Sequence, residues 1–271
     1  VKSIKTLNRR FAYAAILLKQ LVKTDFKLRY QGSALGYLWS LLKPLFLFVI
    51  LYTVFVRFAK VDYGVDNSGV YLLLGIVIWT FFSEVTSSSV TSIVSNGDLL
   101  RKLNFPRYVI VLAVGFSALI NLMLNMIIVT IFMIVGGVDV GLSIVFVPLL
   151  FIELFAFSLA IGFFLSAAYV RLRDINHIWE VVMQALFYLT PILFPLSFAP
   201  LWAQKFLIIN PLAQIIQDLR YILVSRDTIT IDDVFVDNPL ARLIPLSIVA
   251  ISVFVATKYF RARSKYFAEE I

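Results

Sequence analysis

Cysteine is absent from the sequence, and histidine occurs once, at His177. Disulfides, thiol catalysis and cysteine- or histidine-rich metal sites are excluded with them. Charge is also scarce: 15% of the 271 residues are Asp, Glu, Lys or Arg, against about a quarter in a soluble protein. None of the eleven glycines begins the run G-x-x-x-x-G-K-[ST], whose amides and lysine cradle a nucleotide's phosphates. Energy for any uphill work must then come from another subunit or from an ion gradient. The chain does not read as a self-sufficient enzyme or pump. No internal repeat is present, unlike the related halves of many secondary transporters. Val1 to Gln31 carries Lys and Arg throughout and lacks an apolar core with a small-residue cleavage site, so it does not read as a secretory signal.

What is abundant is apolar surface. Hydrophobic residues make up 61% of the chain, and Tyr108 to Val135 contains no charge at all. Leu142 to Val170 contains only Glu153. Crossing a ~30 Å hydrocarbon layer takes roughly 20 apolar residues as helix. The runs Leu41–Ala59, Val70–Val94, Tyr108–Val135, Leu142–Val170, Ile178–Phe198 and Leu240–Thr257 therefore read as six spans. The expected fold is an all-α integral membrane protein, residues 1–271 forming one transmembrane domain. An even number of spans puts both ends on one side. That side then holds 18 of the 24 Lys and Arg, the other side 6. Lys and Arg collect in cytoplasmic loops, so both ends are expected inside. The net charge of +8 is explained by this placement, and nucleic acid is not expected as a partner.

Polar groups inside the spans are few. Glu84, Glu153 and Glu180 could form a proton relay, or could serve interhelical hydrogen bonding or a wet cavity. Asn121 and Asn125 lie one turn apart and read as packing contacts or as a ligand site. The inner half of the second span is rich in hydroxyls from Ser83 to Ser95, for close packing or to line a wet passage. Asp232, Asp233 and Asp237 could hold a divalent metal, or form an ordinary acidic loop; no metal site is expected. Residues 1–36 mix lysines with Ile16, Leu17, Leu21 and Leu28 at helical spacing, which reads as an amphipathic helix in the inner headgroup layer, in contact with membrane lipids. Asp98 to Arg107 can form one short helix stopped before Pro106, either a basic connector or a docking knob.

The segment 199–224 is too apolar for a free loop, yet each half is too short to span. Asn210-Pro211 divides it, since Asn suits turns and Pro starts a helix. Leu212, Ile215, Ile216, Leu219 and Ile222 fall on one helical face. Two short re-entrant helices in the outer membrane half are expected, with a surface-lying hairpin as the alternative.

Several motifs resemble a known family. DFKLRYQGSALGYLWSLLKPL (Asp25 to Leu45), KLNFPR (Lys102 to Arg107), VRLRDI (Val170 to Ile175), TPILFP (Thr190 to Pro195) and NPLAQII (Asn210 to Ile216) occur in the order found in the membrane subunits of ATP-binding-cassette polysaccharide exporters. Those are the O-antigen, capsule and wall teichoic acid exporters, of the Wzm and TarG type. The resemblance implies a homodimeric channel in the bacterial inner membrane, bound to two copies of a separate ATPase and carrying a lipid-linked glycan outward. ATP and magnesium would be bound by that partner, with no cofactor in this chain. The resemblance implies ATPase contact at Asp25, Arg29, Tyr30, Leu99, Leu100, Arg101, Lys102, Phe105 and Arg107. It implies an aromatic channel lining, for which Tyr37, Trp39, Tyr71, Trp79, Phe81, Phe82, Phe187 and Tyr188 are candidates. It implies an outer gate in the 199–224 hairpin, with Trp202, Phe206, Asn210, Pro211 and Ile215. Sugar C–H faces stack on aromatic rings, and a sliding polymer needs weak, repeated contacts. The competing functions are export of a drug or small lipid by the same architecture, a membrane transferase, and an ion-coupled carrier using Glu84 or Glu153.

Overall fold

The computed structural model describes residues 13–25, 27, 36, 38–65, 67–102, 105–139, 141–236, 238 and 240–270. Among them there is no strand. Residues 13–25 form α1, and α2 (Leu38–Leu51) continues as a π-helical stretch, Tyr52–Phe58. Then come α3 (Ser68–Ser95), the short α4 (Gly97–Lys102) and α5 (Tyr108–Val135). A 3-10 turn, Leu142–Phe146, leads into α6 (Val147–Arg171), and α7 is Ile175–Leu189. The last elements are α8 (Leu201–Ile208), α9 (Pro211–Leu223), α10 (Ile231–Val234), α11 (Leu243–Arg263) and α12 (Phe267–Glu270).

Five helical stretches are long and apolar enough to cross a bilayer: Leu38–Phe58, Ser68–Ser95, Tyr108–Val135, Leu142–Arg171 and Leu243–Arg263. The Ile178–Phe198 run behaves differently. Its helix stops at Leu189 after 15 residues, roughly 22 Å, because Pro191 and Pro195 cannot continue the amide ladder. The last long helix runs past the apolar limit at Thr257 to Arg263, its final turns carrying Lys258, Arg261 and Arg263. Cations suit a helix C-terminus and can extend their stems along apolar surface. After α5 the chain turns at Gly137, whose φ of +64° favours a residue without Cβ.

Burial decides which helix is central. In α3, 18 of 28 residues are buried, whereas in α11 only four of 21 are. α3 is the post against which α2, α5, α6, α7 and α9 pack, and α11 packs on α6. The outward stripe of α5 is Ile120, Met123, Ile127 and Ile131, an apolar row at helical spacing that suits lipid. α9 is not a surface element: all its residues but Tyr221 are buried, between α3, α6 and α11. α8 leaves Leu201, Trp202 and Phe206 exposed.

Candidate functional site

Two polar stripes face outward from the helices. On α3, Thr80, Ser83, Glu84, Ser87 and Thr91 are partly or fully open at helical spacing, while Thr86, Ser89 and Ser92 on the other faces are buried. On α7, His177, Glu180, Gln184 and Tyr188 form an exposed row. Asn176 Nδ2 donates to Glu180 Oε1 at 2.7 Å, and His177 Nδ1 lies 3.6 Å from Glu180 Oε2. α7 meets α3 where Trp79 touches Phe187, with ring centroids 5.4 Å apart. On the other flank of α3 lies α2. A groove therefore runs along α3 between α2 and α7.

The α2 wall deepens into a cleft of about 460 Å3 lined by Trp39, Lys43, Trp79, Glu84, Asn121 and Asn125 among others. Its hydrogen bonds have a local cause. Pro44 lacks an amide hydrogen, so the carbonyl of Ser40, four residues earlier, loses its helical donor. Asn125 Nδ2 points at that carbonyl, 3.3 Å away, and also donates to Asn121 O at 2.8 Å. Asn121 Nδ2 in turn donates to Glu84 Oε1 at 2.8 Å. The asparagine pair thus ties α5 to both α2 and α3, and holds a carboxylate at the wall.

At the N-terminal end of α3, a second constellation anchors α9. The break after α7 leaves successive carbonyls without helical donors, and each receives a side chain. Arg220, with no exposed surface, donates from Nη1 to Pro191 O and from Nη2 to Ile192 O at 2.9 Å. Tyr63 Oη donates to Leu193 O at 2.7 Å. Arg220 also donates to Tyr71 O at 3.0 Å and to Gln217 Oε1 at 3.0 Å, and its guanidinium lies 3.6 Å from the centroid of the Tyr71 ring. A buried cation without a carboxylate is stabilised here by carbonyl dipoles and a ring face. Gly75 makes room: a Cβ there would lie 2.5 Å from Arg220 Nη2. Burial pushes the Tyr63 phenol up to about 12.

The aromatic candidates divide. Trp39 and Tyr188 are exposed and Phe187 is partly so, whereas Tyr71, Phe81 and Phe82 are buried within the chain. Trp79, Phe82, Phe187 and Tyr188 form one chain of ring contacts, extended by Phe157. In the segment from α4 to α5, Leu100 and Phe105 are buried, Leu99 and Arg107 half-buried, and Arg101 and Lys102 exposed at the end of α4. Asp25 ends the described part of α1; Arg29, Tyr30 and Tyr37 lie outside the described residues. In α8 and α9, Trp202 and Phe206 are exposed, Pro211 and Ile215 are buried, and Asn210 Oδ1 accepts from Leu212 N at 3.1 Å, capping α9. Asp232 is bound by Arg242, Nη2 to Oδ2 at 2.7 Å, and Asp233 caps α10 through Thr230; Asp237 lies outside the described residues. Glu153, buried in α6, lies within electrostatic reach of Asp218, whose carboxylate accepts from Gln214 Nε2 at 2.7 Å.

Arg220 was not singled out from sequence, and Glu180 and Tyr188, each named there for a separate reason, were not joined with His177 and Gln184 into one row. The usable signal was a cation in a helix just downstream of two prolines that free backbone carbonyls.

The profile of the ABC-2 type transporter family matches residues 16–224, a range that contains the groove and the Arg220 constellation. The chain belongs to the ABC-2 type transporter family. It is 28% identical over 273 residues to an "O-antigen export system permease protein RfbA" of Myxococcus xanthus, covering 99% of this chain and all of the relative. It is 28% identical over 258 residues to a Klebsiella pneumoniae protein of the same description, covering 95% of this chain and 97% of the relative. This ABC-2 chain is a multi-pass inner-membrane protein.

Proposed function

We propose that this chain is the membrane half of an ATP-driven exporter that moves a lipid-linked polysaccharide outward across the bacterial inner membrane. The observation that carries the reading is the contrast between outward faces: α5 turns Ile120, Met123, Ile127 and Ile131 to its surroundings, whereas α7 turns the polar row His177, Glu180, Gln184 and Tyr188 outward beside Ile178, Val181 and Leu189. A polar row is costly against lipid tails and belongs against a wet path. The relatives' description as O-antigen export permeases supplies the cargo class. Residues 1–271 act as one unit. A second copy closes the groove into a conduit, and Trp39, Phe187 and Tyr188 offer ring faces to sugars. α7 with residues 190–198 makes the fifth of six crossings, both ends lie in the cytoplasm, and α8 with α9 form a re-entrant outer gate anchored by Arg220. Two copies of a separate ATPase, which bind ATP and magnesium, dock on Asp25, Arg101, Lys102 and neighbouring residues. O-antigen, capsule and teichoic acid all satisfy this chemistry.

The test fills the groove. Ser87→Trp with Gln184→Trp should lower surface glycan by roughly tenfold or more while the purified complex still assembles with its ATPase. Unchanged glycan export in that double variant would remove the groove from the path.

A further inference from the structure

A second cleft, larger than the one at the α2 wall, lies on another flank. α5 and α11 both pack on α6, and between their ends opens a cavity of about 610 Å3. Its lining includes Arg107, Tyr108, Phe163, Phe260, Arg261 and Ser264. Arg107 immediately precedes α5, Arg261 stands in the last turn of α11, and neither has an acidic partner among the described residues. Two guanidinium groups sharing one rim without a counter-charge call for an anion.

Depth specifies what carries that anion. Tyr108 opens one membrane helix and Arg261 closes another, so the rim lies at headgroup level. Phe163 lies two turns before the end of α6 and meets Phe260, the residue that precedes Arg261. The wall there is aromatic: Phe163 and Phe260 meet edge to face at 5.0 Å, and Phe260 meets Phe267 of α12 at 5.4 Å. A basic rim over an aromatic wall matches a phosphate joined to an acyl tail. Soluble phosphate would leave the wall uncovered.

We propose that this cleft binds an anionic glycerophospholipid of the cytoplasmic leaflet, its phosphate between Arg107 and Arg261 and an acyl chain along Phe163 and Phe260. The proposal rests on the orientation given above. The bulk lipid is favoured over the lipid that carries the glycan because the groove runs on α3 between α2 and α7, whereas this cleft opens where α5 and α11 meet on α6. A bound lipid would brace the segment after α4 against the end of α11, since Phe105 and Pro106 form part of the same wall and α12 packs on α4.

The test uses the full-length chain in nanodiscs of phosphatidylcholine with added phosphatidylglycerol, counting retained lipid by native mass spectrometry. Wild-type protein should retain phosphatidylglycerol over phosphatidylcholine. R107Q/R261Q should retain it roughly tenfold less, R107K/R261K should recover most of it, and R263Q, which alters a neighbouring cation outside the cleft, should match wild type. Equal retention by R107Q/R261Q and wild type, or no preference over phosphatidylcholine, overturns the proposal. So does displacement of phosphatidylglycerol by an equimolar polyprenyl pyrophosphate. Cysteine labelling of the α4 end, described below, reads the orientation independently of lipid binding.

Discussion

Arg220 shows what a single buried residue can hold. It meets carbonyls from α3 and from the break after α7, and no hydrocarbon side chain can replace those bonds. Replacement by Met leaves Pro191 O and Ile192 O orphaned, at about 1–3 kcal/mol each. Thermal unfolding of the purified protein should therefore rank wild type above Arg220→Lys, and Arg220→Lys above Arg220→Met, because an ammonium keeps the charge but not the fork. Gly75→Ala should also destabilise, by about 1–3 kcal/mol, since its Cβ would collide with Nη2. Tyr63 adds a pH signature. Its folded value of about 12 lies above the ordinary 10, so burial favours the neutral phenol. Its contribution is complete below pH 10 and is lost as pH rises from 10 through about 12. Tyr63→Phe should remove that alkaline loss from the unfolding curve while costing about 1 kcal/mol at neutral pH, for the bond to Leu193 O.

At the scale of elements, prolines in spans are matched by donors from neighbouring helices. Pro44 offers no amide hydrogen to Ser40 O inside α2, and Asn125 of α5 donates to that carbonyl. Pro191 interrupts the helix after Leu189, and Arg220 of α9 answers that. In hydrocarbon every backbone group must find such a partner. The pairing can be measured. Asn125→Leu should cost about 1–2 kcal/mol with Pro44 present and clearly less beside Pro44→Ala, where the helical amide returns. A simple sum of the two single effects would mean that Asn125 does not serve this carbonyl. The same scale explains α9. Its apolar face packs inward as its period requires, but Gln214, Gln217 and Asp218 are buried too, because they meet one another, Ile229 O and the Arg220 network.

For the whole molecule, orientation is the property that every functional statement depends on. The absence of native cysteine makes single-cysteine labelling clean. Cysteines at Asp139 and Asp232 should react with an impermeant reagent in intact cells, and one at Arg101 should react only after the membrane is opened. Labelling of Arg101→Cys from outside would reverse the topology and move the Arg107–Arg261 cleft to the other leaflet.

The membrane class, the positions of the long helices, the α8–α9 break at Asn210-Pro211 and the charge asymmetry were legible in the amino-acid order. Each depends on run length, on proline geometry or on a count of cations, which are local or additive properties. The family motifs were legible for the same reason, as short contiguous strings. Helix neighbours were not, because an all-apolar helix such as α5 carries little directional information along its length. Only the packed structure decided that α3 is the central post, that Tyr71, Phe81 and Phe82 are buried within the chain, and that the exposed polar rows of α3 and α7 border one groove. It also brought Arg107 beside Arg261 and Arg220 onto residues 191 and 192. Those pairings join positions from 28 to 154 residues apart, and they arise from backbone groups and charges seeking partners where water is absent.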